Sequence, residues 1–228
     1  SDLPPCRYFE KLHKLLISND ILLIADEVVT GFGRIGAMFG AGAMQLKPDM
    51  MVCAKALSSA YIPISAVMMN ARVYDAIARQ SDEMGVLGLT MTYSGHPVAC
   101  AVALEALKIY EEMDIVARVR QLEAPFLGGL NRLLEHPLVG EERGKGLLAG
   151  VELMNNAESP ELRKPIDPKL KAGATCARIA EQHGLIVRAI GDTIAFCPPL
   201  IISEAEIEEM LVRFRLALDE TVRELQIG

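Results

Sequence analysis

Apolar residues first recur at helical spacing. Phe9, Leu12, Leu15 and Leu16 share one face of residues 8–18, and Asn19-Asp20 breaks the pattern. The next run, Ile21-Leu22-Leu23-Ile24-Ala25, is apolar on both faces and β-branched at Ile21 and Ile24, which predicts a short strand buried within a parallel sheet. A helix followed by a buried strand is an α/β signature. Met50-Met51-Val52-Cys53-Ala54 and Ile64-Ser65-Ala66-Val67-Met68-Met69 predict two more strands, joined by Gly-rich loops. Pro97 suits the first position of a helix of small residues that runs to about Glu112, with Ser94 as its capping residue.

The texture changes after this helix. An amphipathic pattern runs from Asp114 to about Glu135 and ends in a His136-Pro137 turn; Gly144-Lys145-Gly146 then introduces a strand, Leu147 to Leu153. A helix is predicted for Lys169 to His183, with short strands around Ile186-Val187 and over Thr193 to Phe196. A final helix starts at Ser203, where Ser203-Glu204-Ala205-Glu206 forms a capping box. These changes place a domain boundary near residue 113, giving domains 1–113 and 114–228.

Composition narrows the functional classes. With 228 residues and 51% hydrophobic content the chain can bury a sizeable core, while a net charge of -7 opposes binding to a phosphate backbone. Nucleic acid is therefore excluded as a partner. Five cysteines without a Cys-x-x-Cys pair sit mostly in apolar stretches, as expected of small hydrophobes in a reducing, cytoplasmic setting. No apolar run approaches the roughly 20 residues that cross a bilayer, and the beginning, Ser1-Asp2-Leu3-Pro4-Pro5, lacks a signal peptide's basic and apolar regions. That beginning also lacks an initiating Met and reads equally as a processed terminus or as a cut inside a longer protein.

Candidate chemistry gathers at predicted strand ends. Asp26 and Glu27 follow the first strand, where ligands of open α/β sheets collect; the plainer reading is a helix cap or loop carboxylate. Lys55 lies among apolar neighbours and either snorkels to solvent or supplies a desolvated, nucleophilic amine. Gly31-Phe32-Gly33-Arg34-Ile35-Gly36 matches a dinucleotide fingerprint, the basis of a nicotinamide-dependent oxidoreductase alternative. Its context fails: the strand ends too early, and the residues that follow are too rich in Gly to open a helix. Thr92-Tyr93-Ser94-Gly95-His96-Pro97 leads into a helix N-terminus that is either a phosphate site or simply a capped turn, and no metal-ligand spacing is found nearby. Arg188 either pairs with Asp192 or waits for a substrate carboxylate.

Together these segments resemble the class-III (omega-type) aminotransferases of the type I pyridoxal-phosphate fold. The resemblance rests on Ile24-Ala25-Asp26-Glu27-Val28-Val29-Thr30-Gly31-Phe32-Gly33-Arg34, on Pro48-Asp49 with Ala54-Lys55, on Thr92 to Pro97 and on Gly144 to Glu152, in that order, and it covers essentially the whole chain. It implies an α/β fold: the C-terminal part of a large domain with a mostly parallel sheet flanked by helices, then a small α+β domain. It implies pyridoxal 5'-phosphate as cofactor, with Lys55 as the catalytic residue that carries it as an imine and moves a proton. Asp26 is expected to pair with the pyridine nitrogen and Val28 to pack on the ring. Thr92 is expected to reach the phosphate of the neighbouring subunit's cofactor in a homodimer with shared sites.

Arg188 resembles the mobile arginine that meets substrate carboxylates. Ala195 stands where members with a rigid α-carboxylate anchor have Arg, which points to an amine or omega-amino acid donor with a keto acid such as pyruvate as acceptor. Ala56 and Ala60 stand where the family often has Gly, and a methyl is strained there if the backbone takes positive φ. Family chains are about twice this long, as a large two-domain subunit requires. The missing N-terminal half makes a non-catalytic or complementing half-enzyme the alternative for the isolated chain.

Overall fold

A computed structural model describes residue 4 and residues 7–88, 91–155 and 164–227. The chain divides into two compact units, Pro4–Val116 and a second that begins at Ala117.

The first unit opens with α1 (Tyr8–Ser18), over the predicted range, although Phe9, Leu12 and Leu16 are only half-buried and Leu15 is exposed. It continues through β1 (Ile24–Asp26), α2 (Gly40–Ala43), β2 (Met50–Cys53), a 3-10 turn (Lys55–Ser58), β3 (Ala66–Met69), α3 (Ala71–Met84) and α4 (Pro97–Glu112). β1 and β2 pair in parallel with Asp26 opposite Val52, whereas β2 and β3 are antiparallel. The strand expected at residues 21–25 starts later and is not buried. Ile21, Leu22 and Ile24 are 52%, 42% and 55% exposed, because no element among the described residues covers them.

Two helices escaped the sequence reading. α3 is specified by Asn70, whose side chain accepts from the Val73 N–H, and α2 is too short and too rich in Gly to show a periodic pattern. α4 begins with Pro97 as expected, but its cap is His96 rather than Ser94: the His96 Nδ1 accepts from the Ala99 N–H at 3.5 Å.

The second unit contains α5 (Ile115–Arg132) from its third residue onward, β4 (Val139–Lys145), β5 (Leu148–Asn155), β6 (Lys164–Pro165), α6 (Ala172–Gln182), β7 (Arg188–Ile190), β8 (Thr193–Phe196) and α7 (Glu204–Leu225). Its sheet runs β4-β5-β8-β7 with antiparallel pairing, and β6 adds to the end of β5. β4 was not foreseen, because Gly140-Glu141-Glu142-Arg143 carries charge where a strand pattern wants apolar residues. It is an edge strand, where charge is tolerated and discourages pairing with other chains. Glu141 faces Glu152 across the ladder, and Arg143 bridges both carboxylates at 2.7 and 2.9 Å.

α7 lays Ile207, Met210, Leu211, Phe214, Ala217 and Leu218 onto one core with α5, α6 and the sheet. Phe214 meets Phe196 edge to face at 4.8 Å. The capping box forms as predicted, with the Ser203 N–H donating to the Glu206 carboxylate and the Glu206 N–H to the Ser203 hydroxyl; donation from the Ser203 hydroxyl first, and from its N–H second, holds the Glu206 carboxyl below its usual range.

His136 is buried between the end of α5 and α7. Its Nδ1 accepts from the Leu138 N–H at 3.1 Å, and its Nε2 lies 3.2 Å from the Asp219 carboxylate. Burial pushes its pKa below the ordinary 6.5, with Asp219 opposing and Arg215 adding to the shift. A depressed folded pKa means that the unfolded chain binds the proton first, so this contribution is present above 6.5 and is lost as pH falls below it. The urea midpoint is therefore expected to fall between about pH 7 and pH 5, and His136→Asn should flatten that slope. Parallel slopes in the two proteins would assign the acid sensitivity elsewhere.

Candidate active site

The site begins at the carboxyl ends of two neighbouring parallel strands. Asp26 is the last residue of β1, and its Oδ1 accepts from the Val28 N–H at 3.0 Å, a local turn that orients the carboxylate. Directly after it, the Glu27 N–H donates to the Val52 carbonyl of β2 at 2.9 Å. Two strand ends are thus stitched side by side, where ligands of parallel sheets collect.

The buried carboxylate here is Glu27 and not Asp26. Asp26 is exposed, while Glu27 is 2% exposed. The Glu27 side chain accepts from the Gly40 N–H (2.8 Å), the Ala41 N–H (2.5 Å) and the Thr30 hydroxyl (2.5 Å), so it caps α2 and closes the loop between β1 and α2. Two glycines of this stretch are thereby explained. A Cβ on Gly31 would lie 2.8 Å from the Glu27 carbonyl oxygen, and one on Gly40 would lie 3.1 Å from Glu27 Oε2. Turns follow Glu27 and α2 is only four residues long, so the nucleotide fingerprint lacks the helix it requires.

Lys55 sits just beyond β2, at the head of the 3-10 turn, with a left-handed φ of 46°. It is exposed rather than desolvated, and its amine has no hydrogen-bond or ion-pair partner among the described residues. Ser59 (φ 49°) and Ala60 (φ 61°) are also left-handed, so the methyl of Ala60 stands where strain was expected. Ala56 is not among the positive-φ residues. Val28 is half-buried one turn from Asp26. The strand ends therefore bring Asp26, Val28 and Lys55 into one region.

Thr92 lies exposed in the turn that enters α4, a turn closed by the Ser94 N–H donating to the Met91 carbonyl. Arg188 belongs to the second unit. It is exposed on the edge strand β7, directly opposite Ala195 of β8. The ordinary explanation for Arg188 does not hold: Asp192 accepts from the Gly173 N–H at 2.9 Å, and Arg188 has no ion-pair partner among the described residues. The sequence reading named Glu27 beside Asp26 without giving it this anchoring role, and it passed over Tyr110 of α4. A carboxylate followed by a Gly-rich stretch was the available signal for Glu27; a single Tyr in a small-residue helix carried none.

The chain is similar in sequence and fold to known proteins. The profile of the family Aminotransferase class-III matches residues 2–218. Gamma aminobutyrate transaminase 3, chloroplastic, of Solanum lycopersicum is 46% identical over 218 residues, which cover 96% of this chain and 41% of that protein. Gamma aminobutyrate transaminase 1, mitochondrial, of the same plant is 44% identical over 223 residues, or 98% of this chain and 43% of that one. Among solved structures, the omega transaminase from Pseudomonas jessenii in complex with PMP is 47% identical with a TM-score of 0.93, covering 98% of this chain and 49% of that one. The chain thus spans less than half the length of these relatives.

Glu27→Gln keeps the volume of the side chain but loses charge-assisted acceptance, so it is expected to cost about 2 kcal/mol in urea unfolding. An unchanged unfolding curve would show that the loop is held by packing instead.

Proposed function

The chain belongs to the class-III aminotransferases, and on that footing we propose that the protein carrying it moves an amino group between an amine or omega-amino acid and a keto acid such as pyruvate. Its fold is the α/β type I fold of pyridoxal-phosphate transaminases. Within it, residues 1–113 form the C-terminal part of the large cofactor-binding domain and residues 114–228 the small domain. One observation carries the proposal: an unpaired amine, Lys55, and an exposed, oriented carboxylate, Asp26, stand at the ends of adjacent parallel strands.

That donor set fits pyridoxal 5'-phosphate, a cofactor consistent with the family and with the PMP-bound relative. The amine of Lys55 matches the cofactor's aldehyde, the Asp26 carboxylate matches a protonated ring nitrogen, and the Val28 side chain offers an apolar surface for the ring. When bound, the ring supplies an electron sink that makes the substrate carbon acidic. Asp26 would hold a proton on the ring nitrogen by charge pairing. Lys55 Nζ would hold the cofactor and would be the group that takes or returns a proton at the substrate carbon. Thr92 offers a hydroxyl to the phosphate of a second subunit's cofactor, which makes the working form a homodimer with shared sites.

Arg188 supplies the guanidinium for a substrate carboxylate. Its cross-strand neighbour is an alanine, so that position supplies no second cation for a carboxylate. This supports a donor without an α-carboxylate. A second reading, in which these residues serve as one half of a complemented enzyme, is favoured by the uncovered Ile24, Val67 and Met68 of the first sheet. Free thiols at Cys53, Cys100, Cys176 and Cys197 support a reducing, cytoplasmic compartment, although the plant relatives bear chloroplastic and mitochondrial names. Among the described residues, no helix is long and apolar enough to cross a membrane.

Borohydride reduction of the full-length protein with pyridoxal phosphate, followed by peptide mapping, should put the label on Lys55. Label spread over surface lysines with none on Lys55 would refute the assignment. Arg188→Ala should slow the pyruvate half-reaction about tenfold while changing a simple amine half-reaction less than about threefold. Equal losses in both half-reactions would remove Arg188 from the carboxylate role.

A further inference from the structure

Tyr110 lies outside every motif that carries the functional reading, yet it touches the turn that presents Lys55. It is 8% exposed, near the end of α4, and its ring lies 6.4 Å from that of Phe32 in the glycine loop. The Tyr110 hydroxyl donates to the Ala56 carbonyl at 2.6 Å and is 2.5 Å from the Ser59 hydroxyl. With its proton committed to Ala56, the Tyr110 oxygen accepts from Ser59. The chain Ser59 to Tyr110 to Ala56 therefore closes across the 3-10 turn from outside it.

The turn needs such a restraint. Lys55, Ser59 and Ala60 all have positive φ, a conformation in which a Cβ is strained against the backbone. Packing holds Leu57 and Ser58, but at Ser59 the turn borders a cleft of about 290 Å³, lined by Ser58, Ser59, Ala106 and Tyr110 among others. Backbone bonds from Ser59 N–H to Ala56 O and from Ala60 N–H to Lys55 O are both local and would survive a rigid shift of the turn into that cleft. The Tyr110 bonds would not.

We infer that Tyr110 is a positioning residue for Lys55, clamping through its hydroxyl the strained turn that holds the reactive amine at the end of β2. This rests on the reading of Lys55 as the residue that holds the cofactor. Lys55 Nζ must meet both the cofactor and the substrate carbon, and a displacement of about 1 Å at such a position costs far more in turnover than in binding.

The test uses the full-length protein with Tyr110→Phe, which keeps the ring and its Phe32 contact, and Ser59→Ala, which removes only the second link. Tyr110→Phe should lower kcat about tenfold with the amine KM within about twofold, and Ser59→Ala should act in the same direction less strongly. The pH midpoint of the bound cofactor's visible absorbance should move by about 0.5 unit or more in Tyr110→Phe. In the ligand-free protein the Ser59 and Ala60 amides should exchange about tenfold faster. Unchanged kcat, midpoint and exchange would overturn the inference, as would a kcat loss that only tracks a fall in Tm with the midpoint unmoved. If Tyr110→Phe fails to fold, Ser59→Ala decides by the same readouts. A wild-type protein with no label on Lys55 would instead defeat the functional reading, and the amide exchange would still report on the clamp.

Discussion

The first unit depends on one buried carboxylate. Glu27 receives two backbone N–H groups and a hydroxyl from residues up to Ala41, and its own N–H holds the Val52 carbonyl. A loop this rich in glycine loses much entropy on ordering and has few side chains with which to offset it. Charge-assisted hydrogen bonds to a buried anion are among the few interactions strong enough to do so. Once Glu27 is fixed, Asp26 on one side and Val28 on the other are fixed as well. The negative charge reaches β2 too: burial first, and Glu27 second, push the Cys53 thiol up, which keeps that cysteine an inert core residue two positions from Lys55.

The two units solve different problems. In the first, the exposed Asp26 and Lys55 stand at strand ends whose following backbone is tied down. Glu27 ties the loop after β1, and Tyr110 ties the turn after β2. The second unit has a conventional core in which α7 and the antiparallel sheet enclose Phe196 and Phe214. It contributes an edge strand whose arginine is unencumbered. Asp192, held by α6, shapes the hairpin and leaves Arg188 free.

Elements with a strong local code were legible. The Ser203–Glu206 capping box, Pro97 at the head of α4, and β8 over Thr193–Phe196 each follow from residues within a few positions. β4 was not, because its charged residues are paid for by an edge position and by Arg143, and neither shows in a periodic pattern. Residues 21–25 were assigned to a buried strand from their apolar run, but burial needs a neighbour, and none among the described residues lies over Ile21, Leu22 or Ile24. The exposure of Lys55 and Asp26 has the same origin: an apolar sequence environment is not a buried one.

By itself the sequence determined the family and the order of its motifs along the chain. Asp26, Lys55 and Arg188, with the glycine loop between the first two, are residue types that local spacing and resemblance identify without coordinates. Only the tertiary structure decided that Glu27 is the buried anchor, that Arg188 faces Ala195 instead of pairing with Asp192, and that Tyr110 reaches across from α4 to the lysine's turn. Each of these is a contact between residues far apart in the chain or a choice among partners. Such choices are settled by which backbone groups a fold leaves to be satisfied, and a one-dimensional pattern does not record them.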